Sequence, residues 1–192
     1  QTNAYDAANG VHYLTIAGSV RSGGIEFEST VVPLRGLTLN FNGSYNDVSY
    51  LSYKDAPCPP EVSQAPGAPA SCDLSGHQVV GASKWIGNAN GEYKWNLANG
   101  FEPYVTGSYA FRSKAVGTVE DSDYGQIPSY AVVNFSTGLR GDFNQGQWDV
   151  SLWLKNAFDK TYYTTLWTGG NGGYEGLLGT PRTLGVTGRY DF

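Results

Sequence analysis

The side chains best suited to chemistry are few and scattered along the chain. Two cysteines, Cys58 and Cys72, flank a proline-rich run, CPPEVSQAPGAPASC. A cysteine pair closing a short polar loop reads as a disulfide, and therefore as an oxidising compartment such as a periplasm or cell surface. Two free thiols in a cytosolic loop are the alternative. Neither a histidine nor a second Cys-x-x-Cys lies beside them to complete a zinc site. His12 and His77 lack the neighbours that an acid–base pair needs, so each reads as a solvated loop residue. The acidic run EDSD at 120–123 could hold a divalent cation, but a hydrated loop is the simpler reading. GGNGG at 169–173 follows no strand-to-helix pattern and reads as a loop tip, not a phosphate cradle. Hydrolase elbows, HExxH and paired catalytic carboxylates are missing, so no enzyme activity, resident metal or cofactor is expected. The run WTGGNGGYEG at 167–176 differs: Trp167 and Tyr174 offer flat apolar faces and Glu175 a charge, a set able to hold a solute. Aromatics anchoring a strand end are the competing reading.

These residues sit in a chain of unusual composition. It has 192 residues with 40% hydrophobic and only 15% charged, where a soluble domain averages about 25% charged. Glycine (26) and tyrosine (14) fill the deficit, along with asparagine. A net charge of −5 and a pI near 4.9 leave no basic cluster to neutralise phosphates, so nucleic acid is not a partner. No run approaches the roughly 18 apolar residues of a membrane-spanning helix. A membrane-spanning strand escapes that test, because it needs only about 9–11 residues with apolar side chains on alternate positions. The opening QTNAYDAANG has neither a basic start nor an apolar stretch, which implies a removed signal peptide or a piece of a longer chain.

Period-two alternation recurs through the chain. In LTLNFNGSY (37–45) Leu37, Leu39, Phe41, Gly43 and Tyr45 alternate with Thr38, Asn40, Asn42 and Ser44. The same parity runs through 85–95, with Trp85 and Trp95 ending the apolar row, and through 102–112 and 131–140. In 148–156 Trp148, Val150, Leu152 and Leu154 oppose Asp149, Ser151, Trp153 and Lys155. The last segment sets Leu184, Val186, Gly188, Tyr190 and Phe192 against Thr183, Gly185, Thr187, Arg189 and Asp191. A weaker case, 22–32, sets Ile25, Phe27 and Val31 against Glu26, Glu28 and Thr30. Seven strands result, and no helix is expected.

The connections alternate in length. PLRG (33–36), NLANG (96–100) and DFNQGQ (142–147) are short turns, while polar loops run over 51–79, 113–129 and 159–180. Short on one side and long on the other is the layout of an outer-membrane barrel. A soluble β-sandwich would also alternate, but its water-facing rows would carry many Lys and Glu. Here the polar rows are Asn, Ser, Thr and Gly, and aromatics end the apolar rows as a membrane interface selects. From Trp148 to Asn156 a strand rises about 26 Å along its axis, or some 19 Å at a tilt of about 45°, within an apolar band of roughly 25 Å. Parity puts Asn156 on the outer face near the interface, where its amide would be hydrated. It points Arg112, Arg140 and Arg189 into the lumen, to pair with carboxylates there or, secondarily, with an anionic solute.

Two segments carry a family resemblance. NFSTGLRGDFNQGQWDVSLWLKNAFDKTYY and the closing GTPRTLGVTGRYDF resemble the C-terminal end of TonB-dependent outer-membrane receptors. The carrying residues are Asn156, Phe158, Asp159, Lys160 and Tyr162, then Pro181, Arg182 and Thr183, and the terminal Phe192. SVRSGGIEFE (19–28) resembles a strand start of that family, and DAPCPP…SCDLSG a disulfide-bearing outer loop of some members.

The resemblance implies an all-β, antiparallel transmembrane β-barrel of about 22 strands, filled by an N-terminal plug. Residues 1–192 would supply only the C-terminal strands, about seven or eight, as a fragment or as one chain of a split receptor. The implied function is TonB-dependent uptake of a scarce solute, such as an iron–siderophore chelate, across the outer membrane of a Gram-negative bacterium. Partners would be the lipid bilayer and lipopolysaccharide, the plug and remaining strands, TonB through the plug, and the outer-membrane assembly machinery. Trp167, Tyr174, Glu175, Arg112 and Arg140 would contact substrate, and Tyr190 and Phe192 would be the assembly signal on the last strand. The alternative is a self-contained eight-stranded barrel, structural or adhesive, with its first strand hidden in residues 5–17.

Overall fold

The computed structural model describes residues 2–6, 11–15, 18–169 and 172–192. Among these, β1 (Thr2–Asp6) and β2 (Val11–Thr15) pair antiparallel with each other, which sets His12 opposite Tyr5 on a strand, not in a loop. Then follow β3 (Ser19–Leu34), β4 (Leu37–Ser52), a one-turn helix α1 (Pro60–Ser63), β5 (Trp85–Lys94) and β6 (Glu102–Arg112). Two short strands, β7 (Ala115–Val116) and β8 (Gln126–Ile127), precede β9 (Tyr130–Phe143) and β10 (Gly146–Lys155). The chain ends with the pair β11 (Tyr163–Thr168) and β12 (Tyr174–Leu178), and β13 (Thr183–Asp191). Seven long strands form one antiparallel sheet in the order β13-β10-β9-β6-β5-β4-β3. They are the seven that the alternation marks out.

Register confirms the face assignments. Tyr45 lies opposite Trp85, Tyr93 opposite Val105, and Val105 and Leu152 both opposite Thr137, with Val186 beyond Leu152. Cross-strand partners share a face, so this set forms one continuous apolar surface. It is bare: Ile25 is 73% exposed and Val186 70%. The opposite face is knitted by polar pairs. Asn88 donates to Asn42 at 3.0 Å, Asn134 to Ser108 at 2.9 Å, and Trp153 to Thr187 at 3.0 Å, while the Thr106 and Ser136 hydroxyls lie 2.7 Å apart. Bare apolar surface outside and satisfied polar rows inside are what lipid on one side and water on the other require.

Three features depart from the sequence reading. β3 and β4 are 16 residues each, about 50 Å of strand, and outrun the apolar band. Beyond Tyr45 the apolar row meets Asp47 and Ser49 while Val48 and Tyr50 fall on the other row, so the alternation breaks while the backbone ladder continues. The DFNQGQ segment closes in two residues, with Asn144 (φ 47) and Gln145 (φ 70) both left-handed, the twist that suits a tight hairpin. Finally, α1 is a real if minimal helix in the 53–84 loop, where none is expected.

Among the described residues, the outer edges of β3 and β13 meet no partner, and the hairpin of β1 and β2 does not join them. The sheet is therefore an open arc.

Candidate functional site

Among the described residues, most of the buried apolar side chains lie in the long loops, with Tyr50 of β4 and Tyr104 of β6 the exceptions in the sheet. Tyr50, Tyr53, Ala56 and Leu74 form one cluster, packed by Val79 and by Val119 of the 113–129 loop. A second joins Ala115 and Ile127 to Leu166 of β11. The apolar face of the sheet lies bare, so the buried apolar clusters form where loops cover one another. The long loops thus build a cap over one end of the sheet.

Polar contacts complete the cap. The cysteines expected to pair do so, with Cys58 bonded to Cys72 at an S–S distance of 2.02 Å. Ala56 and Cys72 exchange backbone hydrogen bonds of 2.9 and 3.0 Å beside it. Two residues beyond Cys58, α1 presents Glu61 to the second loop, where its carboxylate accepts from the Ser122 hydroxyl at 2.7 Å and the Asp123 N–H at 2.9 Å. Bonds from its own backbone N–H, then from Ser122, hold the Glu61 carboxyl below the usual carboxylate range. His77 Nδ1 lies 2.7 Å from Asp121, and Gln126 donates to Asp121 at 2.9 Å. Glu120 accepts from Thr168 of β11 at 2.7 Å. So EDSD is a junction of three loops, not a merely hydrated run, and His77 is half of a hydrogen-bonding contact. Both readings fail for one reason: their partners lie 44 or more residues away.

The residues expected to contact substrate fall in three places. Trp167 and Glu175 face each other across β11 and β12, with the indole donating to the carboxylate at 3.2 Å. Tyr174 begins β12 and stacks on Tyr124, ring centroids 6.4 Å apart, and burial raises its phenol pKa. Tyr124 is 72% exposed and was not anticipated from the sequence. Gly170 and Asn171, the tip of GGNGG, lie outside the described residues. Arg112 is pinned under the cap, its Nε donating to Ser83 Oγ at 2.6 Å and its Nη2 to the Gly81 carbonyl.

Arg140 lies at the other end of the lumen face, near the Asn144–Gln145 turn, and is enclosed by acids. Its Nε donates to Asp149 at 2.9 Å, while Glu102 and Glu92 stand at 3.4 and 3.5 Å. Its guanidinium rests 4.0 Å from the Tyr104 ring centroid, and the Tyr104 hydroxyl donates to Asp149 at 2.9 Å. Tyr104 can lie flat because it faces Gly138, where any Cβ would come within 2.4 Å of the ring. The sequence places Arg140 in the lumen; only the structure shows how fully its donors are taken. Arg189, expected to face the lumen, pairs with its near neighbour Asp191 at 2.9 Å.

Asn156 corrects the expectation of a hydrated interfacial amide: it is 2% exposed, with a left-handed φ of 47°. Its side chain accepts from the Lys160 N–H at 2.9 Å and donates to the carbonyls of Lys160 (2.9 Å) and Thr180 (3.0 Å). Asp159 likewise accepts from the Arg182 N–H at 3.0 Å. These bonds tie the two feet of the 156–182 loop together, through the Asn156 and Asp159 side chains and the backbone of Lys160, Thr180 and Arg182. Parity misplaced Asn156 because the strand ends at Lys155 and the next residue turns.

The family model for the TonB dependent receptor-like β-barrel matches residues 1–157. No curated protein matches this sequence. Among solved structures, the chain superposes on BauA, the ferric preacinetobactin receptor of Acinetobacter baumannii, with a TM-score of 0.68 at 18% identity, covering 100% of this chain and 25% of that one. The ferric yersiniabactin uptake receptor FyuA of Yersinia pestis gives 0.66 at 15% identity, covering 90% and 24%. The siderophore receptor PiuA of Acinetobacter baumannii gives 0.64 at 15%, covering 90% and 22%. The chain thus spans about a quarter of the length of these receptors, and at such identities the likeness is one of fold.

Proposed function

The chain belongs to the TonB-dependent receptor β-barrel family, and from that membership we propose that it forms the C-terminal wall, lumen surface and outer cap of a receptor for an iron–siderophore or similar chelate. Proteins of this family are receptors and transporters of the outer membrane of Gram-negative bacteria, and their role in the uptake of chelates fits the structural neighbours. The observation that carries the reading is the two-faced sheet: bare apolar residues on one side, satisfied polar pairs on the other, and long loops gathered at one end.

In this reading lipid covers the face bearing Ile25, Leu152 and Val186, and lipopolysaccharide surrounds the cap. The lumen face carrying Arg140, Glu92, Glu102 and Asp149 meets the plug. Strands elsewhere in the receptor continue from the open edges of β3 and β13. TonB supplies energy by acting on the plug, so the side chains here do no covalent chemistry. They hold a passage, and the cap with Trp167, Tyr174 and Glu175 captures solute from outside.

The test is uptake of radiolabelled iron by a deletion strain complemented with the full receptor, offered one candidate chelate at a time. Uptake that disappears when TonB is removed or the inner-membrane proton gradient is collapsed is the expected result. Uptake that survives both would overturn the proposal.

A further inference from the structure

Tyr124 poses a problem that the uptake reading leaves open. It is a large ring, 72% exposed, on a backbone that is held firmly. Ser122, itself fully buried, accepts from the Tyr124 N–H at 3.2 Å through its hydroxyl and from the Gly125 N–H at 3.0 Å through its carbonyl. Glu61 fixes Ser122 and Asp123 from the disulfide-closed loop. One side of the Tyr124 ring stacks on Tyr174, and most of the ring's surface stays exposed. A rigid aromatic of this kind offers much contact area at little cost in conformational entropy.

Asp123 and Gln126, which flank Tyr124 in sequence, also line a cleft of about 410 Å³ with Asp121, Lys114 and Gln78. The cleft sets two carboxylates against one lysine, and Glu61, Glu120 and Glu175 lie in the segments around it. His77 adds positive charge only when protonated, and it already faces Asp121. A solute with several negative charges is repelled there, whereas one that is neutral or cationic is not.

We propose that Tyr124, backed by Tyr174, is a binding platform for a flat ring of a solute with no net negative charge, and that Glu61 is the positioning residue holding it. The polar edge of the solute enters the cleft beside Asp123 and Gln126. The Cys58–Cys72 disulfide acts through α1, because it fixes the loop from which Glu61 reaches. This rests on the reading of the cap as the capture surface and names the class of solute it takes.

The test uses the purified full-length receptor in detergent and two radiolabelled iron complexes with flat rings of similar size: neutral ferric tris(maltolate) and trianionic ferric tris(catecholate). The neutral complex is expected to bind at least about tenfold more tightly, and Tyr124→Ala to weaken it by about tenfold while Tyr124→Phe leaves it unchanged. Glu61→Ala should weaken binding to a similar extent and speed hydrogen exchange at the Asp123 and Tyr124 amides. Glu61→Gln, which keeps an acceptor oxygen, should recover most of both. A loss from a damaged fold would also speed hydrogen exchange at the Leu152 amide, in the middle of β10, which should stay unchanged in every variant. The proposal is overturned if neither complex binds, if the trianion binds as well as the neutral complex, or if Tyr124→Ala leaves binding intact. Binding at the platform by a receptor that takes up no iron in cells would sink the uptake reading and leave the platform standing.

Discussion

Replacing Asn156 by alanine tests whether its amide is the tie that closes the 156–182 loop. The substitution removes three hydrogen bonds between a buried side chain and backbone, to Lys160 N, Lys160 O and Thr180 O. At about 1 kcal/mol net for each bond, their loss costs about 3 kcal/mol. The φ of 47° adds roughly 1 kcal/mol more for alanine, because asparagine tolerates the left-handed region and alanine does not. Glycine loses the same bonds without that strain. Local opening of the loop base should therefore become about a thousandfold more frequent with Asn156→Ala and about a hundredfold with Asn156→Gly. Hydrogen exchange at the Lys160 amide in the full-length receptor reads this directly, with the Leu152 amide in the middle of β10 as the control that should not change. An acceleration below tenfold at Lys160, or a greater effect from glycine than from alanine, would refute the reasoning.

Reduction of Cys58–Cys72 removes a closure over a sequence separation of 14, worth about 3 kcal/mol in the loop-entropy picture. The 53–84 loop should then become sensitive to protease, while the sheet still resists heat and detergent in electrophoresis. The Glu61 clamp should depend on pH in one direction. Its carboxyl has a pKa lowered by folding, so its stabilisation is present above the unfolded value of 4.5 and is lost as pH falls through the lower folded value. Binding of a conformation-specific antibody to the 118–126 turn, followed from pH 7 downwards, should fall in that acid window for the wild type and not for Glu61→Gln. Deleting Phe192, a fully exposed terminal ring stacked on Tyr190, should lower the amount of assembled barrel in the outer membrane far more than it changes the affinity of the receptor that does assemble. Quantitative blotting of membranes beside a binding curve separates the two.

The seven strands, their faces and the family were legible in the sequence because alternation is a local property. In a strand, each side chain's face follows from its parity, and lipid on one side with water on the other writes that parity into residue type. Leu152 and Asp149 declare their faces without reference to any other segment. The disulfide was legible as well, since a short loop between two cysteines leaves little else for them to meet.

The cap was not legible. Glu61 meets Ser122 across 61 positions, His77 meets Asp121 across 44, and Glu120 meets Thr168 across 48. No periodicity links such residues, and each taken alone is a polar side chain in a polar loop. Asn156 shows the same limit at short range, because its burial depends on Thr180 returning to it at the far foot of the loop. The sequence by itself determined which residues share the apolar face of the sheet and which the polar one, since that choice is made one residue at a time. Only the tertiary structure decided which loops touch, and so where Tyr124 stands, because those contacts depend on where the whole sheet brings the loop ends.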